Sequence, residues 1–153
     1  CFDCGQDFHG AVELALGWGA WKMYLARPAT DPCRHFAMAA LGNALLPTRP
    51  EEALPVLETN LALGRRYFSR VTGGGWLLDA QMSLASCLGT LGRLEESLVL
   101  QREIYARRLA ISGASHEGTI ISGSNLLATL NMLGRWDEAK PLARDQLLPA
   151  ARQ

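Results

Sequence analysis

The strongest constraint on this chain is that part of it repeats. Residues 84–92 read L-A-S-C-L-G-T-L-G and continue R-L-E-E-S-L; residues 126–134 read L-L-A-T-L-N-M-L-G and continue R-W-D-E-A-K. Gly92 and Gly134 stand 42 residues apart, and Leu84, Leu88, Leu91, Arg93 and Glu96 all recur at that offset. A weaker third copy lies upstream. There Leu41, Gly42 and Leu45 stand for the first half, Glu51-Glu52-Ala53-Leu54 opens the second, and Pro55 follows Ala53 as Pro141 follows Ala139. A fixed period of roughly 20–50 residues marks a repeat architecture, in which a unit buries its apolar face only against its neighbours.

Within each unit the punctuation is that of two helices and a turn. Leu77, Leu84, Leu88 and Leu91 form an apolar stripe at helical spacing. Gly92 suits a helix end because it reaches the left-handed conformation without steric cost. Glu95 and Glu96 then fall in the first turn of the next helix, where the positive end of its dipole favours carboxylates. Leu98, Ile104, Leu109 and Ile111 supply that helix with an apolar side, and Arg107 and Arg108 lie near its end. The same reasoning predicts helices over 34–46, 50–69, 75–91, 94–111, 117–133 and 136–150. A further amphipathic stretch runs from Gly10 to Ala26, with Ala11, Leu14, Trp18, Trp21 and Leu25 expected on one packed face. Asp31-Pro32 reads as a helix entry, with Pro pre-set for the first turn. No segment alternates apolar and polar residues for long, so no strand is expected. Gly73-Gly74-Gly75 lacks the Lys-Ser/Thr of a phosphate-binding loop and reads as a connection between hairpins.

Composition narrows the function classes. Of 153 residues 48% are apolar and 20% charged, which argues for a folded chain. Fifteen basic residues balance fifteen acidic ones, so the surplus of cations that nucleic-acid binding needs is missing. No run approaches the roughly 20 apolar residues of a membrane span. Cys87 sits in an apolar helical pattern and reads as a small buried hydrophobe. A disulfide framework serves small secreted domains, whereas a chain of this length, with Cys1, Cys4, Cys33 and Cys87, can build a core of its own, so the expectation is a reducing, intracellular and cytoplasmic setting. Because the first residue is Cys rather than Met, the chain is expected to be trimmed or a fragment. Leu142, Leu147 and Leu148, with no later hairpin to cover them, carry the same expectation for the other end.

The pattern L-x-x-L-G-x-x-L…G-R-x-x-E-A resembles tetratricopeptide repeats, and the 42-residue period resembles the longer repeat of kinesin light chains. Gly113-Ala-Ser-His116-Glu-Gly-Thr119 is similar to that family's linker of a Gly, an acidic-His-Pro turn and a Thr. Asn125-Leu-Leu-Ala…Gly134-Arg-Trp-Asp-Glu-Ala139-Lys-Pro-Leu142 is similar to its N-L-A…G-x-Y-x-E-A-x-P-L. The resemblance spans about 34–153 and is strongest over 75–153. It departs at Thr48-Arg49-Pro50, which replaces the Gly-Arg turn, and at Gly118, which stands where the family has Pro. It implies an all-α, right-handed superhelix of stacked helix-turn-helix hairpins, a TPR-like solenoid, with an N-terminal capping helix. The implied organisation is a remnant of an upstream module at 1–10, the first helix at 11–30, and helix pairs at about 31–71, 72–113 and 114–153.

Such a stack implies recognition of another protein: a peptide or helix lying in a concave groove lined by the first helix of each pair, in a scaffold or adaptor role. The groove candidates are Asn43, Met82, Ser86, Ser124, Asn125, Ala128 and Asn131. An Asn amide both donates to and accepts from a peptide backbone, although Asn125 and Asn131 serve equally well to bond neighbouring helices. Catalysis finds no support. His9, His35 and His116 lack a nucleophile at motif spacing, and the pairs Glu51/Glu52, Glu95/Glu96 and Asp137/Glu138 recur where a helix dipole favours acid. The arginines, Arg70 and Arg102 among them, read as a solvated face, and the Trp18/Trp21 stripe reads as core. A second resemblance lies at Cys1-Phe-Asp-Cys4-Gly-Gln-Asp-Phe8, which looks like the last C-x-x-C pair of a RING-variant zinc domain. It implies a zinc half-site at Cys1 and Cys4 that only upstream ligands complete. Closure by Cys33 and His35 is disfavoured, since C-x-H at a helix start sets the two side chains about 200° apart. The chain by itself is thus expected to hold no cofactor. The competing reading makes it the substrate-recruiting region of a RING-variant-type ubiquitin ligase, whose parent would be an enzyme.

Overall fold

Asp31 opens the first repeat as its short carboxylate allows. It stands in extended backbone just outside the helix, its Oδ1 accepts from the Cys33 N–H at 2.8 Å, and Pro32 takes the first helical position. The computed structural model describes residues 10–67 and 75–147, with side-chain surroundings as far as 144. Its helices are α1 (Ala11–Tyr24), α2 (Pro32–Leu45), α3 (Pro50–Tyr67), α4 (Gly75–Thr90), α5 (Leu94–Ser112), α6 (Glu117–Met132) and α7 (Trp136–Pro141). Among the described residues there is no strand. The first six fall within two residues of their expected bounds. The seventh differs: α-helical winding stops at Pro141 and a wider π-helical winding follows over Leu142–Leu147. A proline does not account for this by itself, since Pro55 holds the same place in α3 and that helix continues to Tyr67.

Three turns show the repeat as geometry. Gly92 and Gly134 adopt φ of 75° and 70°, and the next N–H, of Arg93 and Arg135, returns to the carbonyls of Leu88 and Leu130 at 2.9 Å. The first repeat turns without a glycine: Arg49 N–H reaches the Leu45 carbonyl at 2.8 Å, and the intervening residues keep negative φ. Arg49 nevertheless occupies the repeat position. The N–H groups of Ala53, Ser97 and Ala139 each bond the carbonyl of Arg49, Arg93 and Arg135 at 3.1 Å. In all three turns the arginine Nε also donates to the glutamate three residues on: Glu52 at 2.7 Å, Glu96 at 2.6 Å and Glu138 at 2.7 Å. The hydrogen bond from Arg93 holds the Glu96 carboxyl below its ordinary range. The acidic pairs at the helix starts are therefore partners of the turn arginines as well as of the dipole.

The described residues form two compact units, one ending at Cys87 and the other starting at Leu88, within α4. In the first, α1 packs on α2 and α2 on α3. The α1 contact differs from the expected stripe. Gly17 is the buried residue, and a Cβ there would lie 3.1 Å from Leu41 Cα and 3.3 Å from Ala44 Cβ, so the two backbones meet directly. The packed face is rotated toward Leu14, Gly17 and Trp21, which leaves Ala11, Trp18 and Leu25 exposed. Close approach selected the smallest residue over the largest. Leu41 and Leu45 of α2 and Leu57 and Leu61 of α3 are buried, as is Cys87, whose thiol donates to the Pro50 carbonyl at 3.4 Å.

The second unit centres on Leu98 and Tyr105 of α5, Leu126 and Leu130 of α6, and Ala139 and Leu142. Leu142, expected to lie uncovered, is thus buried in this core with residues of α5 and α6. Burial pushes the Tyr105 hydroxyl above its ordinary pKa. Outside the core, Arg102 of α5 pairs with Glu138 of α7, and Arg135 reaches back to Glu95 at 3.2 Å. No helix among the described residues is long and apolar enough to cross a membrane.

Candidate functional site

The first unit contains a pocket of about 380 Å³. Helix α2 contributes Pro32, His35, Phe36, Ala39 and Asn43, which recur at steps of three and four along one face. Helix α4 contributes Trp76, Asp79, Ala80 and Ser83 at the same spacing, and α3 adds Asn60. Phe36 leaves 66% of its surface in solvent, an unusual exposure for a Phe within a packed helix pair.

A glycine seats the far wall. Gly64 of α3 is buried, and a Cβ there would collide with the Trp76 ring, coming within 2.7 Å of its Cζ3 and closer still to Cη2. Only a residue without a side chain lets the outer edge of the indole reach this close to α3. The Trp76 ring then stands 5.7 Å from the His35 imidazole at a 50° tilt. His35 forms the floor, with 4% exposure. Its Nε2 lies 2.8 Å from the Ala29 carbonyl oxygen and its Nδ1 lies 3.0 Å from Asn60 Oδ1. Both partner atoms are acceptors, so whichever ring nitrogen carries the proton donates to the oxygen it faces. That ties α2, α3 and the loop before α2 into a rigid base.

Of the groove candidates, Asn43 lines this pocket and is exposed. Met82 is half-buried and Ser86 exposed on α4, but neither contributes to its walls. Ser124, Ala128 and Asn131 are exposed and Asn125 half-buried on α6, in the second unit. Counted back from the turn leucines Leu45, Leu88 and Leu130, Asn43, Ser86 and Ala128 hold one register position, and all three are exposed. Sequence reasoning missed Phe36, Trp76, Asp79 and the His35–Asn60 base. The signal was present in α2, as the i, i+4, i+7 series Pro32, Phe36, Ala39. In α4 it was hidden, because Trp76 follows a glycine run that reads as loop.

The other singled-out residues serve structure. His116 caps α6, its Nδ1 accepting from the Gly118 N–H at 3.1 Å. A Pro at 118 has no such N–H to give, and the Arg108 guanidinium occupies the space a Cβ would need. Cys33 is exposed, and both ring nitrogens of His35 lie within hydrogen-bond distance of protein oxygens. Among the described residues no three His, Cys, Asp or Glu side chains gather to hold an ion. Cys1, Cys4, His9, Arg70, Gly73, Gly74 and Leu148 lie outside the described residues, as does the side chain of Leu147.

Among solved structures, the repeats of a putative kinesin light chain from Podospora anserina, nearly identical to one another and tetratricopeptide-like, are similar to this chain. The TM-score is 0.72 at 18% identity over 86% of the chain. The chain has the tetratricopeptide-like repeat fold. It spans about 62% of that protein's structure. No protein-family model and no curated protein matches it. The pocket is walled chiefly by α2 and α4.

Proposed function

We propose that this chain is a protein-interaction module that binds a peptide or helix against the first helices of its repeats, within a cytoplasmic scaffold or adaptor. Recognition, with no bond made or broken, is the activity. One observation carries the reading: a pocket with two aromatic walls and a hydrogen-bonded base, presenting an exposed Phe36 and the Asn43 amide to solvent. Leaving a large ring exposed forgoes burial of roughly 1.5–3 kcal/mol, which a partner recovers by covering it. Buried aromatic anchors ringed by polar groups dominate most protein interfaces.

The test is selection of binding peptides from a random displayed library, followed by affinity measurement on Phe36→Ala and Asn43→Ala. Both side chains are exposed, so both variants should keep the wild-type circular dichroism spectrum. The expected result is enrichment of peptides whose affinity falls about tenfold or more in Phe36→Ala. Selected peptides that bind both variants as they bind the wild type would overturn the assignment of this pocket.

A further inference from the structure

We infer that His116 makes the junction between α5 and α6 proton-sensitive: a neutral imidazole closes the first turn of α6, and uptake of a proton by that ring opens it.

The first turn of α6 hangs on this one residue. The His116 carbonyl accepts from the N–H groups of Thr119 at 2.9 Å and Ile120 at 3.1 Å, and its Nδ1 accepts from the Gly118 N–H at 3.1 Å. Asp31 caps α2 in the same way, but with a carboxylate, which goes on accepting throughout the neutral range. An imidazole nitrogen accepts only while it carries no proton. With Nδ1 accepting, the neutral ring holds its proton on Nε2. A second proton has only Nδ1 to go to, and there it meets the Gly118 N–H donor against donor. Histidine is also the side chain whose charge ordinarily changes within the physiological range.

The electrostatic surroundings act mostly in the same direction. An imidazolium at this place faces the positive end of the α6 dipole, where cations are disfavoured. Arg108 of α5 and Glu117 of α6 bring the neighbouring charges. The Arg108 guanidinium lies against Gly118, in the space a Cβ there would need, so one cation already stands beside the cap. Glu117 opposes it, but its side chain is exposed, and water and salt screen an exposed charge. The turn that opens reaches into the packed part of the unit. Thr119, held by the His116 carbonyl, is 1% exposed, and α6 packs on α5.

NMR titration of the labelled full chain from about pH 8 to about pH 5.5, the range in which histidines change charge, tests the assignment. The Gly118 amide signal should move with the His116 ring and share its midpoint. Thermal melting of His116→Asn gives a second readout, since Asn caps helices without titrating. The midpoint of His116→Asn relative to wild type should rise by about 3 °C between the two ends of that range. Comparing the two chains at each pH cancels the other histidines and the carboxylates. A Gly118 amide that stays in place while the ring titrates overturns the inference, and so does a difference in midpoint that is the same at both ends. Should His116→Asn fail to fold, the titration of the wild-type chain decides alone.

Discussion

The sharpest consequence of the packing is that two glycine-to-alanine substitutions should act with opposite sign. Gly42 lies in α2, and a Cβ there would stand 2.5 Å from Leu57 Cδ2 and 2.7 Å from its Cγ. Carbon atoms rest at roughly 3.5–4.0 Å, so the Leu57 side chain must retreat by about 1 Å. Leu57 is only 1% exposed, so it cannot swing out into solvent. Overpacking of this kind costs about 1–3 kcal/mol. Alanine in a helix interior recovers about 0.8–1.0 kcal/mol relative to glycine. Gly42→Ala should therefore lose about 1 kcal/mol net. Gly19 in α1 has no atom within 4 Å of its would-be Cβ, so Gly19→Ala keeps only the helix gain. The difference between the variants cancels that gain and reports the clash alone, about 1–3 kcal/mol. Urea unfolding followed by circular dichroism measures it, since slopes of roughly 1–3 kcal/mol per molar turn such a gap into a clear midpoint separation. Leu57→Ala should also cost less in the Gly42→Ala background than alone, because the new methyl fills part of the void. If Gly42→Ala raises the midpoint as Gly19→Ala does, α2 and α3 are not packed through Gly42 and Leu57.

Further outcomes follow from single residues. Leu130→Ala should destabilise the chain by about 2–5 kcal/mol in urea unfolding, because the leucine is 3% exposed in the second unit's core; a cost under half a kilocalorie would remove it from that core. The hydrogen bond from Arg27, with the Cys33 N–H as a further donor, lowers the Asp31 pKa from its usual 3.8. Its contribution is therefore complete above that value and lost as pH falls through the lower folded one. Asp31→Asn, which keeps the cap but not the charge, should flatten the acid limb of a stability-against-pH curve; an unchanged limb would acquit Asp31. Gly118→Pro should destabilise by about 0.5–2 kcal/mol, because it removes the donor to His116 and crowds Arg108. Thermal melting decides this one, and a rise in midpoint would refute the capping role.

How much was legible in the sequence varied with the range of the interaction. The helices from 34 to 133 were readable because their signals are local: a proline or carboxylate at a start, a positive-φ glycine at an end, leucines every three or four residues. Gly92 and Gly134 turn as their spacing indicated, and His116 caps a helix from the linker. The first turn looked degenerate because a glycine is missing there. Its arginine position was kept all the same, which became visible only when Arg49, Arg93 and Arg135 showed the same carbonyl and glutamate partners. The pocket was the least legible part. Asn43 was marked for its amide, whereas the aromatic walls and Asp79 were not marked at all.

The sequence by itself determined the helical repeat, the positions of its turns and the absence of a charge surplus, since backbone preference and apolar periodicity act within a few residues of chain. Only the tertiary structure decided which face each helix buries and what the buried faces leave open. α1 meets α2 through Gly17, with Trp21 beside it and Trp18 left exposed, because closeness of backbones depends on the partner surface. Trp76 approaches α3 closely because Gly64, twelve residues earlier on another helix, has no side chain to stop it. A pocket is the space that several helices fail to fill together, and no window of sequence contains all of them.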